Sequence, residues 1–257
     1  MDFNVTLSTF QEFNLVVAIP HSGRDITLSK ELGCNHWSLE DHTAFADPFL
    51  DVLAPVFETK AKQTVIQHVS RSLIDMNRCP FDHNLTPKIR CSCPPQLHRE
   101  HVGLGLMPRR SGQNTWLHRE ACEETITLAQ QIHKNFHRKI QDALSTNSAQ
   151  KPALLLDIHS MPDSAANGYD ICIGNRHNES ASPEITKIIV DAISSSFGHH
   201  KIGINTPFSG FYTAARHGKP AMNTHVIQIE FNRKLTGLDK NSVSACIPNV
   251  ASFLDNI

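Results

Sequence analysis

No stretch of this sequence is apolar for long enough to cross a bilayer, which takes about 20 consecutive residues. Residues 1–11 also lack the basic start and apolar centre of an export signal, so a cytoplasmic chain without membrane contact is expected. Excess charge is missing: 24 Lys and Arg stand against 25 Asp and Glu, for a formal net charge of -1. That balance gives no general attraction to nucleic acid or anionic membrane, and any charged site must be local. Disulfide logic is absent as well. The seven cysteines, at 34, 79, 91, 93, 122, 172 and 246, are odd in number and scattered, as in a reduced cytosolic protein. Cys91-Ser92-Cys93 is too isolated to build a four-thiolate zinc site. Neither a Gly-Lys-Ser/Thr nucleotide loop nor a Gly-x-Ser-x-Gly nucleophile elbow occurs, which leaves a serine hydrolase built on Ser22 or Ser160 as the weakest reading. With no repeat, low-complexity tract or composition break, residues 1–257 are expected to form one domain.

What the chain does have is apolar runs that end in reactive side chains. The clearest is Leu154-Leu155-Leu156-Asp157-Ile158-His159-Ser160, bounded by Lys151-Pro152 and Met161-Pro162-Asp163. Continuous apolar character fits a central strand covered on both faces. Asp157 and His159, two apart, share one face. Residues 13–19 form a second such run, stopped by Pro20-His21-Ser22-Gly23-Arg24, with Gly23 supplying the positive φ expected of a turn. Residues 225–231 form a third, with Glu230 near its end. A carboxylate inside an apolar strand is costly unless employed, so Glu230 is a candidate base with a raised pKa.

Between these runs, helical periodicity predicts a short helix over 28–35, a longer one over 38–57, and helices over 116–144, 183–197 and 242–254. Residues 62–69 and 169–173 read as further strands. Glu40, Asp41, His42 and Asp47 crowd the start of the 38–57 helix, where acids favour the helix dipole; Glu40 and Asp47 are assigned that role. His133 and His137 lie four apart, but nothing between them supplies a general base, and a structural role is expected. Residues 79–112 carry five prolines and few periodic positions, the signature of a loop or lid over a site. Strands and helices alternate, predicting an α/β fold: a three-layer α/β/α sandwich around a mixed, mostly parallel sheet. In such sheets ligands collect beyond the carboxyl ends of strands, where His21, His159 and Glu230 stand. A zinc hydrolase needs two or three N or O ligands, an open position for water, and a carboxylate to take that water's proton.

Taken in order, Pro20-His21-Ser22-Gly23, Glu40-Asp41, Arg71 through Asp75-Met76-Asn77-Arg78, Asp157-Ile158-His159-Ser160-Met161-Pro162, Ser209-Gly210-Phe211-Tyr212-Thr213 and Gln228-Ile229-Glu230 resemble the motif series of the N-formylglutamate amidohydrolase family. The resemblance implies a zinc-carboxypeptidase-like fold and a divalent metal ion, zinc first. It also implies a small-molecule substrate, an N-acylated acidic amino acid such as N-formyl-L-glutamate. His21, Asp41 and His159 would then be metal ligands, with Glu40, His42 and Asp47 as rivals to Asp41 because the spacing differs there. Glu230 and Arg71 would be catalytic, while Asn77, Arg78, Arg216, Tyr212 and Ser160 would bind substrate. The chain departs from the family pattern at Arg216-His217, where the family has His-Tyr. It departs from the carboxypeptidases at Arg24, where those enzymes have a Glu three residues after the first His. N-acyl-aspartate or carboxypeptidase-like hydrolysis, and a non-catalytic small-molecule binding module, stand as alternatives.

Overall fold

The computed structural model describes residues 13–81, 97, 99–110, 115–145 and 151–257. Six strands, β1 (Asn14–Ile19), β2 (Gln63–Ile66), β3 (Ala153–Met161), β4 (Ile171–Gly174), β5 (Ile202–Ile204) and β6 (Thr224–Asn232), form one sheet in the order β2-β1-β3-β6-β4-β5. Each neighbouring pair is parallel except β4 against β6. The helices are α1 (Leu39–Thr43), α2 (Ala54–Phe57), α3 (Glu123–Ser145), α4 (Pro183–Phe197), α5 (Tyr212–His217), α6 (Arg233–Thr236), α7 (Lys240–Ser244) and α8 (Ile247–Asp255). No described helix is long and apolar enough to cross a membrane.

All nine residues of β3 are buried, because helices cover both faces of the sheet. Leu154, Leu156 and Ile158 face a core shared with α2, α4 and α8. Leu155 faces the opposite core, with Ala129, Phe136 and Ile140 of α3. Each Leu buried in this way contributes roughly 1.5–3 kcal/mol relative to exposure. The architecture is therefore the expected α/β/α sandwich. On the α3 face the strands change character part-way along. Val16, Ala18, Leu155 and Val226 pack under α3, but the next positions on that face are Asp157, His159, Gln228 and Glu230. They are the floor of a cleft.

Several predicted helices are shorter than their periodicity suggests. The 38–57 stretch divides into α1, a 3-10 turn over Leu50–Leu53, and α2. The break falls at Asp47-Pro48, because proline disfavours the helical conformation in the residue before it and brings no N–H of its own. Phe49 then takes a left-handed φ of 60°. Residues 28–35 are turns, and 116–122 are irregular, with Trp116 bridged to Arg110. Most of the 79–112 excursion lies outside the described residues; of the remainder, Glu100–Val102 is a 3-10 turn.

Gly23 has a different purpose from the expected one, since its φ is not among the positive ones. A Cβ there would lie 2.4 Å from the carbonyl oxygen of His68, so glycine is required by the close approach of two backbones beyond β1 and β2. Gly23→Ala is expected to destabilise the chain by about 1–3 kcal/mol through overpacking. Urea unfolding of the purified variant reads this directly, and an unchanged midpoint would show that the two segments separate freely.

Candidate active site

Past the end of β1 the chain turns so that His21 drops onto the cleft floor beside His159 of β3. Asp47, released from helical structure by Pro48, reaches the same point; its backbone N–H donates to the His21 carbonyl at 2.9 Å. His21 Nδ1 and His159 Nδ1 lie 3.1 Å apart, and Asp47 Oδ2 is 3.3 Å from the first and 3.2 Å from the second. All three side chains are buried.

The outer nitrogens define the chemistry of this triangle. His21 Nε2 sits 2.8 Å from Asp75 Oδ1 and His159 Nε2 sits 3.1 Å from Asp157 Oδ2. A carboxylate only accepts, so at His21 the Nε2 carries a hydrogen and the Nδ1 lone pair turns inward; a metal on His159 Nδ1 would set that ring the same way, with Nε2 toward Asp157. Two lone pairs and a carboxylate oxygen then converge with no donor between them, which is stable only around a cation. A tetrahedral ion with bonds of 2.0–2.1 Å has ligand–ligand edges of about 3.3–3.4 Å. The observed edges of 3.1–3.3 Å come close to these, so the donor set fits a divalent metal. Among the described residues, this is the one group of three His, Cys, Asp or Glu side chains placed to hold a metal.

Without metal, a proton takes its place. Burial disfavours charge on His159, but Asp157 and Asp47 outweigh it and hold the imidazole well above its ordinary pKa. Burial likewise pushes Asp47 up, yet His159, His21 and Arg71 together hold it well below the usual carboxylate range. Asp75 follows the same pattern, with Arg71 and Arg78 outweighing its burial. Arg71 donates from Nε to Asp75 Oδ2 at 2.9 Å and lies 3.6 Å from Asp47 Oδ1. Arg233 donates to Asp47 Oδ1, to the Ala46 carbonyl and to Ser160 Oγ. Asp75, which orients His21, and Asp47 are thus themselves fixed by arginines.

Glu230 stands beside this cluster because β3 and β6 pair His159 with Glu230 in register. Burial, opposed chiefly by His159, lifts its carboxyl to about 7, the range in which a carboxylate exchanges protons with substrate near neutrality. Its position is set by a directed chain of hydrogen bonds. The Thr213 backbone N–H donates to Asn77 Oδ1, Asn77 Nδ2 to Gln228 Oε1, and Gln228 Nε2 to Glu230 Oε1, at 2.8, 3.1 and 2.9 Å. Asn77 Nδ2 also lies 3.4 Å from His159 Nε2, near the outer limit of a hydrogen bond.

The cleft above holds about 260 Å³, and its walls include Arg71, Arg78, Arg99, Phe208, Phe211 and Arg233. Arg78 is stacked at 4.4 Å over the Phe211 ring and donates to the Leu104 and Asn77 carbonyls. A hollow of 340 Å³ at the opposite end of the sheet, between Phe13, Lys60, Lys151 and Leu254, brings no histidine into play.

Of the residues singled out in the sequence, His21, His159, Glu230, Arg71, Asn77, Arg78 and Ser160 all line the cleft. Three do not. Asp41 is bound within its own helix: its Oδ2 accepts from Ser38 N–H and Ser38 Oγ at 2.8 Å, a capping box that occupies the carboxylate. Asp47, assigned to the helix dipole, takes the place expected of Asp41. Tyr212 is buried against His133 and His137, and its hydroxyl accepts from the exposed Arg216, so neither reaches the cleft. Sequence reasoning kept Asp47 only as a rival to Asp41, and gave Asp75, Gln228, Arg99 and Arg233 no role of their own. Asp-Pro was a legible turn signal for Asp47, and the two-residue spacing from Glu230 was legible for Gln228.

Residues 13–236 match the N-formylglutamate amidohydrolase family. No curated protein matches the chain in sequence. Among solved structures, it is similar to an N-formylglutamate amidohydrolase from Ralstonia eutropha JMP134, at 18% identity and TM-score 0.76, covering 96% of this chain and 94% of that one. It is also similar to a gene product of Agrobacterium tumefaciens, at 16% identity and TM-score 0.64, covering 95% and 90%. At such identities the structures speak for the fold, while the match along 13–236 speaks for descent: the chain belongs to the N-formylglutamate amidohydrolase family.

Proposed function

We propose that this chain hydrolyses the amide of an N-acylated acidic amino acid, N-formyl-L-glutamate first, using a divalent metal, zinc first, held by His21 Nδ1, His159 Nδ1 and Asp47 Oδ2. The observation that carries this reading is the triangle of inward-facing acceptors with Glu230 beside it. When bound, such an ion supplies a Lewis acid for the carbonyl and lowers the pKa of water.

The chain's own residues do the rest. Glu230 takes a proton from the attacking water as the new carbon–oxygen bond forms. It then returns that proton to the departing nitrogen as the carbon–nitrogen bond breaks, giving formate and the free amine. Gln228 holds Glu230 at the angle both transfers need. Arg78 and Arg99 offer guanidinium groups to the substrate carboxylates, and Arg71 stands where it can polarise the scissile carbonyl. Four arginines in a 260 Å³ cleft favour a dicarboxylate over a neutral acyl amino acid.

Metal analysis by mass spectrometry, paired with formate release from N-formyl-L-glutamate, tests this. About one metal per chain and turnover abolished by chelator are expected. Metal with no formate release would move the substrate to another acyl group, and absence of metal under every loading condition would overturn the mechanism.

A further inference from the structure

Behind the cleft, the segment carrying Met76, Asn77 and Arg78 has no helix or sheet to hold its backbone. Its three successive carbonyls are nevertheless all occupied. Met76 O lies 2.8 Å from His137 Nε2, Arg78 O lies 2.9 Å from His133 Nε2, and Asn77 O accepts from Arg78 Nη1. Both histidines come from one face of α3, and both are buried. Carbonyls only accept, so each Nε2 carries the hydrogen. His137 Nδ1 is then an acceptor, and at 2.9 Å it faces His217 Nε2 of α5, which must donate. The His217 ring stacks on His137 at 24°, and Tyr212 packs against both α3 rings. Both Nε2 atoms are committed to carbonyls, so the i, i+4 spacing serves the backbone rather than a metal.

The three imidazoles are neutral. Burial lowers His133 to about 4 and His217 to about 3, with the Arg216 guanidinium adding to the effect, and burial followed by the neighbouring imidazoles puts His137 well below its ordinary value. Neutrality preserves the direction of every bond, since a neutral ring offers one donor and one acceptor.

We propose that His133, His137 and His217 are positioning residues that set Asn77 and Arg78 against the cleft from helix α3, so that substrate grip depends on side chains that never touch substrate. The Asn77 side chain begins the bond chain to Gln228 and Glu230, and Arg78 walls the cleft. A shift of the backbone between Met76 O and Arg78 O moves both. The inference rests on the proposed substrate role of this loop.

The test compares His137→Leu with His137→Gln in the full chain. Leucine fills the space without a donor, whereas glutamine returns an N–H to Met76 O. His137→Leu is expected to raise KM for N-formylglutamate on the order of tenfold while kcat changes by less than about threefold, and His137→Gln is expected to recover most of the loss. Amide exchange over residues 70–78, read by mass spectrometry against β3 as an internal standard, should accelerate in the leucine variant and not in the glutamine variant. Unchanged KM with faster exchange would reduce the histidines to ordinary packing and overturn the proposal, as would unchanged exchange in both variants. If the parent chain releases no formate from N-formylglutamate, the substrate reading fails instead, and the exchange comparison decides the positioning by itself.

Discussion

Glu230→Gln is expected to keep its metal, to lose on the order of 10³-fold in kcat, and, once stripped of metal, to outlast the parent chain in thermal unfolding at pH 8. The first loss follows from the proton. A neutral amide fills the same space and still accepts from the Gln228 amide, but it can neither take a proton from water nor return one to the leaving nitrogen, a role worth about 10²–10⁴-fold. The gain follows from burial. A carboxyl lifted from 4.5 to about 7 binds its proton more tightly folded than unfolded. Its contribution favours folding below about pH 4.5 and is lost as pH rises through about 7, where ionisation in the cleft costs on the order of 3 kcal/mol. The amide removes that cost, so the variant's advantage should be large at pH 8 and small at pH 5. A bound cation lowers the pKa, which places the acid limb of the parent's kcat/KM profile at or below about pH 7. Thermal unfolding of both proteins at the two pH values, with single-turnover formate release, is the measurement. Full turnover in the variant would remove Glu230 from the chemistry, and an equal stability difference at both pH values would contradict the buried proton.

Asp47→Ala and Asp41→Ala should separate completely. Removing Asp47 takes one of three convergent donors from the metal and leaves Arg233 and two histidines facing a void. Metal affinity is expected to fall by more than about 100-fold, beyond the 10–100-fold typical of losing a partner that merely orients a ligand. Removing Asp41 breaks one half of the capping box on a five-residue helix. It is expected to lower stability by about 1 kcal/mol and to leave metal content and turnover intact. Metal competition against a chelator of known affinity distinguishes the two. Loss of metal from Asp41→Ala with retention in Asp47→Ala would reverse the assignment. Because metal must displace the proton held on His159, the parent's affinity should also weaken as pH falls.

How much of this was legible in the sequence depends on where a residue sits. His159 and Glu230 were readable because a strand fixes side-chain direction every second residue, and an apolar run that turns polar announces where the covering helix stops. Asp47 was harder. Its neighbours have helical periodicity, and only the following proline shows that the chain leaves the helix, which lets Asp47 reach His21 and His159. Asp41 misled because an acid three residues after Ser38 satisfies a local cap, and local satisfaction competes with long-range use for the same carboxylate. Tyr212 and Arg216 stand within a turn-rich stretch whose rotation about α5 no periodicity sets. Arg99 and Arg233 enter the cleft through tertiary packing alone, for which the sequence has no signal.

The in-register pairing of His159 with Glu230 has a consequence for how this enzyme can change over evolutionary time. The spacing between the proposed metal ligand and the proposed base is the spacing of two central parallel strands, so no closing motion is needed to bring them together, and each backbone bond along β3 and β6 protects it. A one-residue slip of either strand would turn its group, together with that strand's whole apolar set, to the far face, which makes the pair all-or-none. The arginines and aromatics of the cleft wall, by contrast, come from turns and short helices that tolerate replacement. On the proposed assignment, chemistry and selectivity are carried by separable parts of the chain: the acyl group or amino acid accepted would drift through substitutions at Arg78, Arg99 or Phe211 while hydrolysis itself is inherited unchanged.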